Sequence, residues 1–314
     1  MTTEFAWHEF IPSVASAIAA IAAAYAAFRS LSISREAHAV ARKNTLVTHH
    51  GQAAAVLARV LDEARGSLKV LEEAAWHAWV EWPSRIENAV PDARSQEGSN
   101  LRPLRHVLSD CAELLCEHAL QSHGVRRVRY GLFTVIREGL PQEGTGEWTK
   151  LLQKGDGRYE DFATTFGAPE PRTLLSEAAA FRWAVFQLQR RVKQEDWLSV
   201  WAASWKNDGI LGHYGEAQRL AIGVLSRCLE QLLAEQKRLA HSALPLENDP
   251  VLAAKYEKVV AVLDALRDDC SLSFLEPYQE WRHGRDALAF IIYGISLGVL
   301  THKLIEELHI LARD

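Results

Sequence analysis

Sulfur is scarce in this chain, whose 314 residues include four cysteines and one methionine. Cys111, Cys116, Cys228 and Cys270 contain no CxxC pair, so neither a disulfide-stapled small protein nor a zinc-ribbon site is expected. On one helix, Cys111 and Cys116 would point about 140° apart, which excludes joint metal ligation from that helix. We therefore predict buried, reduced cytosolic thiols and no metal site.

Neither sign of charge dominates the chain, which has 35 Lys and Arg against 40 Asp and Glu. This balance argues against a nucleic-acid coat protein and against an acidic tail. With 18 glycines and 10 prolines, collagen and long disordered stretches are excluded as well. The apolar share of 48% is typical of a globular protein, and the length allows one large domain or two modest ones.

Catalytic motifs are scarce too, because the sequence has no HExxH and no P-loop. Gly209, Gly212 and Gly215 have the three-residue spacing of an anion-cradling loop, but no Lys-Ser/Thr pair follows them. The 13 histidines and the paired carboxylates are interpreted as surface and core residues. We predict no catalytic residue and no cofactor; a hydrolase built from scattered histidines and carboxylates is the alternative.

What the chain does contain is an uncharged run of 19 residues, Phe10 to Phe28. A helix of about 20 residues crosses about 30 Å of hydrocarbon, so the run predicts a transmembrane helix. Acidic residues precede the run and basic residues follow it: Glu4 and Glu9, then Arg29, Arg35, Arg42 and Lys43. The positive-inside rule places the N-terminus outside and the bulk in the cytoplasm, as in a single-pass inner-membrane protein. A buried, alanine-rich soluble helix is the alternative.

The run has two distinct faces. Its large side chains fall on one stripe: Ile11, Val14, Ile18, Ile21, Tyr25 and Phe28. Small side chains occupy another face: Ser13, Ser16, Ala20, Ala24 and Ala27. Small residues let helices approach closely in lipid, so this face predicts a packing surface in a homo-oligomer or a narrow pore lining. In water the large stripe would instead form a coiled-coil seam, which Ser32 and Arg35 interrupt after Phe28.

Residue patterns after the run predict a mainly α-helical protein. The expected parts are a short exoplasmic N-terminus (1–9), a transmembrane helix (10–28), an amphipathic helical stalk (29–82), a linker (83–103) and a cytosolic helical-bundle domain (104–314). Within the stalk, Leu57 opens a repeated 4-3 apolar spacing that continues to Trp82. Pro83 is expected to end that helix. Further helices are predicted over 104–121, 174–205, 216–241, 251–266 and 286–312.

Two segments allow more than one interpretation. Val125 to Ile136 is rich in β-branched and aromatic residues, which predicts either a minor strand or a helix. Ala287 to Thr301 is a second uncharged stretch of 15 residues, with Gly294 and Gly298 spaced as GxxxG. Its short length favours a buried core helix whose glycines admit a close neighbour, and a second transmembrane helix is the alternative.

Basic and aromatic residues coincide in two segments. The candidate ligand-binding residues are Arg126, Arg127 and Arg129 in the first, and Arg182, Arg190, Arg191 and Lys193 in the second. Guanidinium groups bind phosphates and aromatic rings stack on bases, so together they predict a site for a nucleotide or oligonucleotide ligand. The alternative is a tryptophan-rich core stripe, which includes Trp197 and Trp201, with arginines on the wet side of the same helices.

The predicted organisation favours a membrane-anchored oligomeric effector. A cytosolic sensor domain would bind a ligand and shift the packing of the membrane helices, as in a ligand-gated ion channel or a pore-forming protein. This organisation resembles that of small bacterial membrane effectors in anti-phage (antiviral) defence, and the resemblance covers mainly the first 80 residues. The alternative is a membrane-tethered helical scaffold that recruits cytosolic protein partners and forms no pore.

Overall fold

The computed structural model describes residues 7–92, 102–132, 174–242, 244–282 and 284–313, with backbone alone for 7–22, 122–123, 174–181 and 284–285. Every regular element in these ranges is helical, which confirms the mainly α fold. The α-helices are α1 (Trp7–Ser67), α2 (Lys69–Trp76), α3 (Trp82–Ala89), α4 (Leu104–His123), α5 (Leu174–Arg191), α6 (Gln194–Ser204), α7 (Ile210–Ala240), α8 (Pro250–Asp264) and α9 (Gly284–Leu311). π-helical turns occupy His77–Glu81 and Ala265–Asp269, and 3₁₀ turns occupy Val125–Arg127, Leu246–Asn248, Leu272–Phe274 and Glu276–Tyr278.

Helix α1 has two parts with different surroundings. It contains 61 residues and is therefore about 90 Å long. Residues 23–45 are exposed throughout. From Ala53 onward one face is buried, through Leu57, Val60 and Ala64, and this face packs against α7. The helix thus begins outside the globular body and ends as a core element of it.

The predicted stalk is divided by this arrangement. Residues 53–82 share one hydrophobic core with the helices that follow residue 104, so that half of the stalk belongs to the body. The exposed half of α1, residues 23–49, is named the α1 arm below. His50, buried in the body, marks the point where the arm ends.

Pro83 does not end the helical path, contrary to the prediction. The π-helical turn His77–Glu81 precedes it, and the Trp82 N–H bonds the His77 carbonyl across this wider turn. Pro83 then lies in the first turn of α3, where its missing N–H breaks no helical hydrogen bond. Helical structure therefore extends to Ala89 into the predicted linker, of which residues 93–101 lie outside the described ranges.

Helix α9 is the central helix of the body. Asp286–Leu311 is long and apolar enough to cross a membrane, and 83% of its apolar window is buried inside the protein. A Cβ on Gly294 would lie 2.8 Å from a ring carbon of Trp82, and one on Gly298 would lie 2.8 Å from the carbonyl oxygen of Ala75. The two glycines therefore admit α2 and α3 to close contact, which confirms the prediction of a core helix with close neighbours.

The strand interpretation of Val125 to Ile136 is wrong for the part that the structure describes. Gly124, with φ of 67°, ends α4, Val125–Arg127 form a 3₁₀ turn, and residues 128–132 are helical. A strand needs a partner to bond its backbone, and the described residues provide none. Residues 133–136 lie outside the described ranges.

The close approach at Gly298 yields a stability prediction. Gly298→Ala places a methyl group within 3 Å of the backbone of α2 and its following turn, so it should lower the free energy of unfolding by about 1–3 kcal/mol. The matched control is Gly223→Ala in α7. A Cβ at this position meets nothing within 4 Å, so the substitution should raise the free energy of unfolding by about 0.5–1 kcal/mol. Urea unfolding of the full-length protein, followed by circular dichroism, measures both; equal changes would contradict the close packing.

Candidate functional site

The α1 arm is the most unusual surface of the described structure. Its large apolar side chains are exposed: Tyr25 (65%), Phe28 (75%), Leu31 (54%), Ile33 (59%), Val40 (58%) and Val47 (64%). Its 27 residues extend about 40 Å from the body. Large apolar side chains exposed along one helix favour contact with lipid or with another chain.

The predicted small face of the membrane run lies on this same helix. Ala24 and Ala27 are exposed on the arm. Ser13, Ser16 and Ala20 fall where the structure describes the backbone alone, which is helical. All five positions therefore belong to α1, and their packing stays a prediction.

The base of the arm is attached to the body by polar contacts. The buried His50 has Nε2 at 3.4 Å from the Leu244 carbonyl oxygen and Nδ1 at 3.8 Å from Asp249 Oδ2. Asp249 also caps α8, because its carboxylate accepts a hydrogen bond from the Leu252 N–H. One turn further along α1, the Tyr256 hydroxyl donates to the Ala53 carbonyl at 2.8 Å. These contacts fix the direction in which the arm leaves the body.

Two arginines of the first segment contact acidic residues of the same chain. Arg126 forms an exposed ion pair with Glu257 at 3.0 Å. Arg129 donates to the Asp268 carbonyl at 3.3 Å and lies 3.7 Å from the Asp269 carboxylate. Burial raises the pKa of Asp269, and the nearby Arg129 guanidinium opposes that shift. Arg127 is exposed on the same turn.

In the second segment, Arg191 has a structural role. Its side chain is buried and donates through Nε to Asp92 at 2.8 Å, through Nη2 to the same carboxylate, and through Nη1 to the Arg102 carbonyl at 2.8 Å. It thereby joins the chain after α3 to the chain before α4. The guanidinium carbon of Arg190 lies 5.5 Å from the centre of the Phe186 ring, within cation–π range.

The remaining members of the second segment lie nearer the surface. Arg182 is half-buried on α5, and Lys193 is exposed just before α6. The tryptophans of α6 lie inside, because Trp197 and Trp201 are fully buried and Trp201 Nε1 donates to the Tyr278 carbonyl at 2.8 Å. This placement agrees with the alternative interpretation of a core stripe.

The structure does not bring the two arginine segments together. Arg191 bonds Arg102, which precedes the N-terminus of α4, whereas Arg126 follows its C-terminus. Helix α4 has 20 residues and is about 30 Å long. Arg191 and Arg126 therefore lie near opposite ends of this helix.

The three spaced glycines lie where neighbouring groups approach the backbone closely. A Cβ on Gly209 would lie 2.3 Å from the Ser204 carbonyl oxygen, and one on Gly212 would lie 2.7 Å from that of Lys206. Both positions let the turn between α6 and α7 close tightly. Gly215 lies inside α7, where a Cβ would approach a methyl carbon of Leu272 to 3.0 Å.

A cavity that the sequence did not predict lies beside this turn. It has a volume of about 390 Å³ and an apolar lining that includes Trp82, Ile86 and Val200. Its lining also includes charged residues of both signs: Arg85, Lys206, Asp196 and Asp208. Residue patterns do not predict this cavity, because α3, which forms one wall, falls where a linker is expected.

The cysteines are buried and free, as predicted. Burial raises the pKa of Cys228 to about 11 and that of Cys270 to about 12, and it also raises the pKa values of Cys111 and Cys116. Such thiols are unreactive near neutral pH. Across the part of the chain that the structure describes, no group of three His, Cys, Asp or Glu side chains has the geometry of a metal site.

Comparison with known proteins identifies no relative, since the chain matches no family model, no curated protein and no solved structure.

The buried ion pair yields a prediction that separates structure from ligand binding. Arg191→Met removes the hydrogen bonds to the Asp92 carboxylate, of which 13% is exposed, and to the Arg102 carbonyl, so it should lower the free energy of unfolding by about 3–5 kcal/mol. The control, Arg126→Met, breaks an exposed pair and should cost less than about 1 kcal/mol. Urea unfolding measures both values. A stable Arg191→Met variant would contradict the structural role and return Arg191 to the candidate ligand residues.

Proposed function

We propose that this protein is a membrane-anchored oligomeric effector, in which residues 10–28 of α1 cross the inner membrane once and the helical body lies in the cytoplasm. The observation that carries the proposal is the exposure of the α1 arm. Tyr25 and Phe28, at the end of the uncharged run, are 65% and 75% exposed, and the helix backbone continues without a break back to Trp7. A bilayer supplies the apolar surroundings that the body does not.

Charge supports the proposed orientation. Arg29, Arg35, Arg42 and Lys43 are all exposed on the arm, on the side of the run that faces the body. Basic residues near the end of a membrane helix favour the cytoplasmic side and are attracted to anionic lipid head groups. From Arg29 to His49 the arm spans about 30 Å, which would hold the body away from the bilayer.

A conformational change in the body could be transmitted to the proposed membrane helix through α1. Ala53, Leu57 and Ala64 place the last turns of α1 in the core, and the contacts of His50 and Tyr256 hold it there. Because α1 is one continuous helix, a rearrangement of the body would tilt or rotate the proposed membrane segment. This supports an effector of the gated-pore kind, with the small face of the run between copies, over a passive anchor.

Helix α9 is the competing candidate for a membrane span. It satisfies the requirement for length and apolar composition, but Trp82 and Ala75 pack onto its glycines. We therefore assign α9 to the core of the body and the membrane anchor to α1.

Removal of residues 1–28 tests the anchor. The core of the body begins at His50, so the shortened chain should keep its fold and move from the membrane pellet to the soluble fraction. Carbonate extraction followed by ultracentrifugation measures this distribution, with the full-length chain as the control. A shortened chain that still resists carbonate would contradict the assignment and indicate α9 as the anchor.

Ion flux tests the pore. Full-length protein in liposomes should release an entrapped ion, and Ala20→Leu should reduce both the flux and the oligomer size by filling the small face. Ile18→Leu, on the large stripe, is the control and should change neither property. Inserted protein that conducts nothing as wild type would contradict the pore and favour the membrane-tethered scaffold that recruits cytosolic partners.

A further inference from the structure

The α1 arm carries a heptad pattern in a register different from that of the large stripe. Ile33, Val40 and Val47 recur every seven residues, and they are 59%, 58% and 64% exposed. Small or short polar residues lie three positions before each of them. Together these residues form a row with alternating spacings of three and four: Ser30, Ile33, Ala37, Val40, Asn44 and Val47, all exposed. This row, named the arm seam below, has the spacing of coiled-coil core positions.

The opposite face of the arm is basic. Arg35 and Arg42 are exposed and recur at the same seven-residue interval, followed by His49. In the heptad that the seam defines, these positions lie farthest from the partner helix, where charged residues remain in water. The arm is therefore amphipathic about the seam.

We propose that the arm seam packs against the arm seam of a second copy of this chain, as a parallel, in-register coiled coil on the cytoplasmic side of the membrane. The parallel direction rests on the proposed function, because copies inserted from the same side of one bilayer carry their arms in the same direction. The pairing of two arms does not depend on the proposed function, because it is inferred from the exposed seam.

A single arm leaves the apolar residues of the seam in water. Helices in proteins take most of their stability from tertiary packing of one face, and nothing in the described body covers this face. Burying Ile33, Val40 and Val47 against a second copy removes apolar surface from water at about 25 cal/mol per Å². Asn44 at a core position would bond its counterpart and fix the register.

The charges beside the seam are compatible with this pairing. On one side lie Arg29, Glu36 and Lys43, and on the other lie Ser34, Ala41 and Thr48. In a parallel pair each flanking charge faces a neutral residue of the other copy, so no like charges oppose each other. An antiparallel pair would instead bring Glu36 towards Lys43. The experiment below therefore distinguishes the parallel from the antiparallel direction.

The seam also continues into the membrane run. Steps of seven residues back from Ile33 and Ser30 reach Ala26 and Ala23 in the sequence, and a further step reaches Ala19 and Ser16. These residues are all small, as close helix packing in lipid requires. Of these four residues, only Ser16 also belongs to the small face of the run.

Disulfide formation in the full-length protein tests the seam. Ile33→Cys and Val47→Cys, made separately, should each form intermolecular disulfides on mild oxidation of membrane vesicles, about tenfold faster than the matched control Arg42→Cys on the basic face, because a disulfide requires close Cβ atoms. Non-reducing gels measure the rates. The four native cysteines do not compete, since all are buried.

Two results would overturn the proposal. Disulfides that form as fast at Arg42→Cys as at the seam positions would exclude the seam as the contact. Disulfides that form only in the Ile33→Cys/Val47→Cys double variant would show an antiparallel pair, because these positions lie about 21 Å apart along the helix. Fractionation of the same variants tests the anchor separately: rapid disulfides at both single positions in a soluble chain would support the seam and contradict the proposed membrane anchor.

Discussion

The burial of the C-terminal part of α1 in the body is the contact on which the rest of the molecule depends. Ala53, Leu57 and Val60 pack one face of α1 against α7, and the Tyr256 hydroxyl bonds the Ala53 carbonyl. This packing fixes the direction of α1 at its base. Since the helix is continuous, the same contact sets where the exposed arm and the uncharged run are carried. Without this packing, the body would not fix the orientation of the arm, and a rearrangement of the body would not move it.

The body is organised around a second apolar helix, α9, which is buried by its own chain. Helix α9 is apolar enough to cross a membrane, yet its glycines at 294 and 298 let Trp82 and the α2 backbone approach within contact distance. The bulk of α9 is thereby removed from solvent by protein rather than by lipid. The two apolar helices of the chain thus differ in their surroundings: α9 is enclosed by its own chain, and the described arm of α1 is exposed.

Helix positions could be predicted from apolar periodicity, because burial on one face of a helix follows local spacing. That is why α4, α7, α8 and α9 lie close to their predicted ranges. Apolar periodicity and residue preference predicted the structure less well where tertiary packing overrides local preference. The β-branched residues near Val125 adopt helical turns. A π-helical turn lets helical structure continue past Pro83. The candidate site was less predictable, because the partners of Arg126 and Arg191, Glu257 and Asp92, lie 131 and 99 positions away. Spacing alone does not reveal such pairs.

In the proposed function, α1 carries its N-terminus across a bilayer while the arm stays on the cytoplasmic side. The most direct measurement is the labelling of single cysteines by a membrane-impermeant maleimide in spheroplasts of an expressing bacterium. Thr2→Cys should be labelled in intact spheroplasts, and Arg42→Cys, on the exposed arm, should be labelled only after lysis. Labelling of both positions only after lysis would contradict the account.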